Sequence, residues 1–484
     1  MTKMMTTLYN KSHVFFLIFL FILQHARSAP LDHHPRRAPV AKAEWWLTTA
    51  DKSALLSKQK PLLTFSAKTL PSKGVPSISV DESQAFQTMD GFGFCLTGGS
   101  AMHIGQMSPS HRSALLRELF TTDARNIGTS YLRISIGASD LDAQPFTYDD
   151  LPRGETDPDL KHFSLAPSRD YLIPVLKEIL KINPKLKILG SPWSAPAWMK
   201  TNEELKGGSL KTEWFDTYAK YFVKYIQEMK KEGIPIDAIT IQNEPLHPGN
   251  NPSMLMVPDD QTLFIKKSLG PAFRTAGMDT KIIIYDHNAD RPDYPISVLN
   301  DPEARKYVDG SAFHLYGGKI SALSDVHRAH PDKNLYFTEQ WVGAPGKFAE
   351  NFTWHTRELI IGAVRNWCKN VLEWNLAANS RLEPHTDGGC NECLGALTID
   401  GNTVTRNPAY YIIAQASKFV RPGSVRIQST ESDTLPNVAF RTPEGKKVLI
   451  VMNNGNVTQS FYIRHKGKAL YTSLPAGGAG TFIW

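Results

Sequence analysis

Cysteine is scarce in this chain, four residues in 484, which excludes a fold stapled throughout by disulfides. Cys390 and Cys393 are near enough for a local bridge, whereas Cys95 and Cys368 sit in apolar contexts that read as buried thiols; sequence alone leaves the pairing open. A zinc site on Cys390, Cys393 and His385 lacks a recognisable fourth ligand, so no structural metal is expected. Long apolar runs are missing too. The run at residues 14–23 has about half of the roughly 20 residues a spanning helix needs, and no later stretch is longer. With Lys3 and Lys11 before it and Ala26, Ser28 and Ala29 after it, residues 1–28 read as a secretory signal, so a secreted or periplasmic protein is expected. There is no dense basic stripe: the net charge is +7 and the pI near 9.0, but the excess is scattered, as at Lys224, Lys230 and Lys231. Nucleic acid is therefore not an expected partner. No internal repeat is present, and the one biased tract is a Pro- and His-rich leader at 29–44.

What the chain does contain is an alternation of short apolar or β-branched runs with helical segments, the pattern of a parallel sheet with helices outside it. Eight runs can be counted, at 91–96, 131–137, 187–193, 238–244, 281–288, 312–316, 335–341 and 371–377, with amphipathic segments such as 171–181 and 214–231 between them. Eight such units in about 300 residues suit a closed (β/α)8 TIM barrel better than an open sheet. The end of the chain changes character: short strands at 438–441, 447–452, 459–463 and 480–484 are separated by turns such as Asn454-Gly455, the signature of an appended antiparallel β-sandwich. The expected organisation is a signal at 1–28, a leader at 29–44, an N-terminal segment at 45–85 that contributes to the sandwich through a strand near 62–65, a barrel at 86–415 and a sandwich at 416–484.

Barrel enzymes carry their chemistry where strands end at the C-terminal face. Two runs end there in a carboxylate: the fourth in Gln242-Asn243-Glu244-Pro245 and the seventh in Thr338-Glu339-Gln340-Trp341. Strands four and seven face each other across the mouth, so Glu244 and Glu339 are placed to straddle an anomeric carbon, with Glu244 as proton donor and Glu339 as nucleophile of a retaining glycosidase. Other strand ends supply sugar-binding groups: Trp193, Asn243, His314, Tyr316, Trp341, Trp374 and Asn375, with Arg133 inside the second run placed to orient a carboxylate. A non-catalytic carbohydrate-binding protein is the competing class, and the presence of both glutamates argues against it.

At these residues the chain resembles glycoside hydrolase family 30, and within it the acid glucosylceramidases and their bacterial relatives. The likeness runs from about Gln87 to Trp484 and is densest at Gly91-Phe92-Gly93, the ten residues from Ser191 to Lys200, Asn243-Glu244-Pro245, Thr338-Glu339, Trp374-Asn375-Leu376-Ala377 and the seven from Ser417 to Gly423. The resemblance implies a barrel with a side sandwich, retention at a β-glucosyl centre, acid/base at Glu244, nucleophile at Glu339, sugar contacts from Trp193, Asn243, Trp374 and Tyr316, and no cofactor. Its implied partner is a β-glucoside, either a glycolipid met at a membrane surface in transient contact or a β-glucan. A glucosylceramidase is the first expectation, and an endo-β-1,6-glucanase or another β-glycosidase of the family is the alternative. One departure favours the alternative: glucosylceramidases carry an aspartate after the Thr of the first strand, and here Thr97 is followed by Gly98-Gly99. The expected replacement is His385 or Asp387, from a loop after strand eight pinned by a Cys390–Cys393 bridge.

Overall fold

The structure, a computed structural model, describes residues 41–67, 69 and 72–484. The expected signal and most of the leader lie outside the described residues. The end of the leader departs from expectation: Lys42–Thr48 is a strand, with Glu44 opposite Ile483 and Thr48 opposite Ala479. Ala43 is buried in the sandwich core on one face, and Trp46 and Thr48 are buried on the other, so burial takes over where the Pro- and His-rich composition stops.

Each of the eight runs forms a parallel strand: Gly91–Cys95, Tyr131–Ser135, Lys187–Ser191, Ala238–Thr240, Lys281–Ala289, Val308–Gly318, Asn334–Glu339 and Cys368–Asn375. They pair in chain order and close into a barrel. One inward side chain from each of strands two to eight, Tyr131, Leu189, Ala238, Ile283, Ala312, Tyr336 and Leu372, packs into a buried layer that fills the barrel. The outer helices lie on the barrel by one apolar stripe. Helix Phe215–Lys231, for example, buries Tyr218, Tyr221, Phe222, Tyr225 and Met229, spaced three and four apart as one helix face requires.

The C-terminal strands Val425–Ser429, Asn437–Arg441, Lys447–Met452, Gln459–His465, Lys468–Leu474 and Ala479–Ile483 join strands from the N-terminal segment in one hydrogen-bonded path. The longest of these strands escaped the sequence pattern. The 12-residue strand Ser77–Thr88 is mostly polar, and it pairs antiparallel with Val425–Ser429 and parallel with Gln459–His465, linking the two layers. The core between the layers includes Phe65, Ile78, Ile427, Leu449, Phe461 and Phe482. The sandwich is fastened to the barrel through the last helix, Pro408–Ser417: Gln415 donates to Thr48 at 2.5 Å and accepts from Thr481 at 2.9 Å, all three buried.

Candidate active site

Strand four delivers Glu244 through a backbone turn. Its φ of +44° lies in the left-handed region that a non-glycine residue enters at a cost, and its N–H donates to the Asp286 carbonyl at 3.0 Å. Strand seven ends in Glu339. A carboxylate oxygen of each glutamate and a ring nitrogen of His314 all lie within 4.8 Å of one another, and both glutamates line a cleft of about 930 Å³ at the C-terminal mouth.

Beneath the pair sits a buried polar network. Arg133, fully buried, donates to Glu339 Oε2 at 2.5 Å, to Asn243 Oδ1 at 2.6 Å and to Asp286 Oδ2 at 2.8 Å. Asp286 also accepts from Ser191 at 2.6 Å, Thr240 at 2.7 Å and Thr338 at 2.6 Å. Burial works against its ionisation, yet the Arg133 guanidinium and His314 hold its carboxyl well below the ordinary carboxylate range. His314 bridges Glu244 through Nδ1 and Asp286 through Nε2, each at 3.2 Å. Tyr316 donates its phenol hydrogen to Glu339 Oε1 at 3.0 Å. A buried charged cluster of this kind is tolerable only because every member is paired.

The electrostatics separate the two glutamates. For Glu339 burial dominates and raises the carboxyl above its usual value against the pull of His314 and Arg133. Burial also works on Glu244, but the hydrogen bond and charge of His314 bring it below its usual value. His314 Nδ1 and Glu244 Oε1 are 3.2 Å apart, so a proton on the imidazole is within reach of Glu244, and its transfer would leave a neutral ring still able to donate to Asp286.

Most of the expected aromatic residues line the cleft: Trp193, Tyr316, Trp341 and Trp374. Trp193 and Trp374 stack at 5.3 Å between ring centroids, with the Arg133 guanidinium 4.8 Å from the first, and at 2% and 4% exposure they form its floor. Tyr316, 40% exposed, offers an open face.

Several expectations need correction. His314 is 0% exposed and holds carboxylates rather than facing sugar. Asn375 accepts from Ser100 at 2.9 Å and Thr97 at 3.3 Å, fixing the start of the helix Gly98–Gln106 rather than facing the cleft; Asn243, by contrast, accepts from Arg133 through Oδ1 alone, which leaves its expected sugar contact to the amide nitrogen. His385 and Asp387 also lie off the cleft lining. Asp387 is exposed, and the His385 ring bonds the Thr386 carbonyl at 3.0 Å. Between Ala378 and Cys393 the chain has neither helix nor strand, so alternation gave no guide to which side chains turn inward. The Cys390–Cys393 disulfide is formed, and Cys95 and Cys368 are buried thiols.

Residues that sequence reasoning missed are Asp140, Asp286, His247, Asn250, His287, Asn288 and Trp354. All but Asp286 line the cleft. Asp286 begins the polar end, Asp286-His287-Asn288, of the fifth strand, where the same strand-end rule would have found it. Asp140 comes from the loop after strand two and carries no local signal. Its pKa is pushed up to about 7, first by burial and then by the charge of Glu339. The glycine after Thr97 also has a reason: a Cβ on Gly98 would meet the Asp142 carboxylate at 1.6 Å, so a carboxylate from another loop occupies the room that a side chain at 98 would need.

A closed parallel barrel carrying two opposed buried carboxyls at the C-terminal mouth, above an aromatic floor, defines a barrel glycosidase. The glycosyl hydrolase family 30 TIM-barrel domain matches residues 89–420 and the family 30 beta sandwich domain matches residues 423–482. The chain belongs to glycoside hydrolase family 30. Among its relatives, it is 35% identical over 436 residues to an endo-1,6-beta-D-glucanase of Aspergillus fumigatus, covering 84% of this chain and 87% of that one. It is 30% identical over 438 residues to the lysosomal acid glucosylceramidase of Mus musculus, covering 84% and 83%. An endo-beta1,6-glucanase of known structure superposes with a TM-score of 0.84 at 34% identity, covering 92% of this chain and 99% of that one.

Proposed function

We propose that this enzyme is a retaining endo-β-1,6-glucanase, with Glu244 as acid/base and Glu339 as nucleophile. The observation that carries the assignment is the approach of the two carboxyls, whose oxygens share a 4.8 Å neighbourhood. Retaining glycosidases hold their carboxyl groups about 5–5.5 Å apart, and inverting enzymes need a wider gap for water. Glu244 gives its proton to the glycosidic oxygen while Glu339 attacks the anomeric carbon, so the leaving chain departs with its O6 hydroxyl restored. Water then attacks the glycosyl-enzyme, Glu244 takes back a proton, and the sugar leaves with its original β configuration. Arg133 and Tyr316 hold Glu339 in line throughout.

A glucan, rather than the glycolipid of a glucosylceramidase, is favoured by the wall beside the acid. The leaving group must lie on the side of Glu244, and the cleft there presents His247, Asn250, His287 and Asn288. His287 Nε2 is 4.0 Å from Glu244 Oε1, and burial lowers its pKa to about 4, which keeps it neutral. These side chains suit the hydroxyls of a second hexose and offer no apolar surface to an acyl chain. The cleft volume of about 930 Å³ sits at the upper end of the roughly 300–1,000 Å³ usual for ligand sites, room for more than one sugar unit. The endo-1,6-glucanase relatives point the same way. An export signal at residues 1–28 fits a polymeric substrate outside the cell. The test is product analysis on linear β-1,6-glucan, glucosylceramide, β-xylan and nitrophenyl β-glucoside. Oligosaccharides released early from the glucan are expected, and turnover of glucosylceramide alone would reject the assignment.

A further inference from the structure

Asp140 is the third buried carboxylate of the cleft, beside Glu244 and Glu339, and what holds it comes from the far end of the barrel sequence. The Cys390 N–H donates to Asp140 Oδ2 at 3.2 Å, and the Thr386 N–H donates to the Asp140 carbonyl at 2.9 Å. Gly389 packs so closely that a Cβ there would stand 2.5 Å from the same carbonyl. These three residues belong to the irregular segment between Ala378 and Cys393, which has no helix or strand to fix its path. Hydrogen bonds from Thr386 to the Asn251 carbonyl and from Asn251 to the Asp387 carbonyl hold its middle, and the Cys390–Cys393 disulfide closes its end, where the Asp140 contact is made. Cys393 in turn pairs with Gly343 in the short ladder of Cys393–Leu394 with Val342–Gly343, on the chain that leaves the seventh barrel strand just after Glu339.

We infer that the Cys390–Cys393 disulfide is a positioning device for Asp140, tying the N–H that holds its carboxylate to the strand exit that carries Glu339, so that Asp140 is aimed at a hydroxyl of the sugar undergoing cleavage. This rests on the glycosidase assignment above. The cause is preorganisation: a carboxylate on a loop binds a hydroxyl well only if its own geometry is held before substrate arrives. The same N–H also draws the Asp140 pKa down against burial and the charge of Glu339, so its loss moves that group further upward.

The experiment is a double-mutant cycle in kcat/KM on soluble β-1,6-gluco-oligosaccharides, with the Cys390→Ala/Cys393→Ala pair made in the wild type and in Asp140→Asn. In the wild type the cysteine pair is expected to lower kcat/KM about 10- to 100-fold, as loss of one hydrogen bond to a charged group implies, mostly through KM. In Asp140→Asn the same pair is expected to cost less than about threefold, because there is no carboxylate left to aim. A titration of kcat/KM separates positioning from general loosening: the Asp140-dependent inflection moves to higher pH in the cysteine variant and is absent in Asp140→Asn. Equal losses in both backgrounds, or no loss in the wild type with the thermal midpoint lowered, would overturn the inference. A wild type inactive on every β-glucoside offered would instead reject the glycosidase assignment on which it rests.

Discussion

The Nδ1 atom of His314 lies 3.2 Å from Oε1 of Glu244, and its Nε2 lies 3.2 Å from Asp286. The imidazole is wholly buried. Burial lowers its pKa, but the charge of Glu339 and the bonds to Asp286 and Glu244 win and raise it to about 9. On the proposed assignment, the proton that Glu244 delivers is held at this contact until the pH climbs toward that value. Glu339 must be ionised to attack, and burial holds its pKa above the usual glutamate value. A bell-shaped plot of kcat/KM against pH is expected, with its acid limb above about 4.3 and its basic limb near 9. In His314→Asn the basic limb moves down, because Glu244 then holds the proton alone. An unmoved basic limb would assign that proton to another group.

Removing each glutamate distinguishes their roles. Glu244→Ala is expected to lose about 10²- to 10⁴-fold on the glucan, the range of general acid catalysis, and far less on an aryl glucoside whose leaving group needs no proton. Glu339→Ala is expected to lose nearly all hydrolysis and to recover with azide, giving the α-glucosyl azide by single inversion. Kinetics and product NMR read both outcomes. Full activity in either variant would remove it from the role assigned.

Asp286 touches no cleft-facing surface, yet it anchors Arg133, Ser191, Thr240, Thr338 and His314. Asp286→Ala leaves the Arg133 charge short of a partner in a dry interior, a change that costs about 3–5 kcal/mol in comparable buried pairs. A lower thermal midpoint together with lost activity is expected. An unchanged midpoint by calorimetry would show that the network does not stabilise the barrel.

Asp142 gives a stability prediction with a definite sign. Burial raises its pKa from 3.8 to about 6, so its contribution favours folding below pH 3.8 and is lost as pH rises toward 6. The loss is on the order of 3 kcal/mol. In Asp142→Asn this slope disappears. The stability of the variant relative to the wild type, measured by denaturant unfolding, is therefore expected to rise between pH 4 and pH 7. A difference independent of pH would contradict the buried, protonated state.

The barrel was legible in the sequence because its eight strands are short apolar runs at regular intervals, and the glutamate pair because a strand end at the C-terminal face is where such a fold puts chemistry. The same rule picked out His314 and Asn375 but could not say which way they turn. His314 went beneath the cleft because two carboxylates needed a shared donor, and Asn375 was taken by the hydroxyls of Thr97 and Ser100. The Cys390–Cys393 bridge was expected from spacing, but Asp140 and its contact with that loop were invisible for another reason. Asp140 and Cys390 meet through two irregular loops some 250 residues apart in sequence, where neither periodicity nor spacing records contact. The polar strand Ser77–Thr88 escaped for lack of apolar alternation, although it joins both layers of the sandwich.

The most direct test of the two-carboxylate account is the configuration of the first sugar released. Proton NMR of the reaction on linear β-1,6-glucan should show the β-anomer of the new reducing end appearing first, with the α-anomer growing only as mutarotation proceeds. First appearance of the α-anomer would mean single displacement by water, and would contradict the assignment of Glu339 as nucleophile.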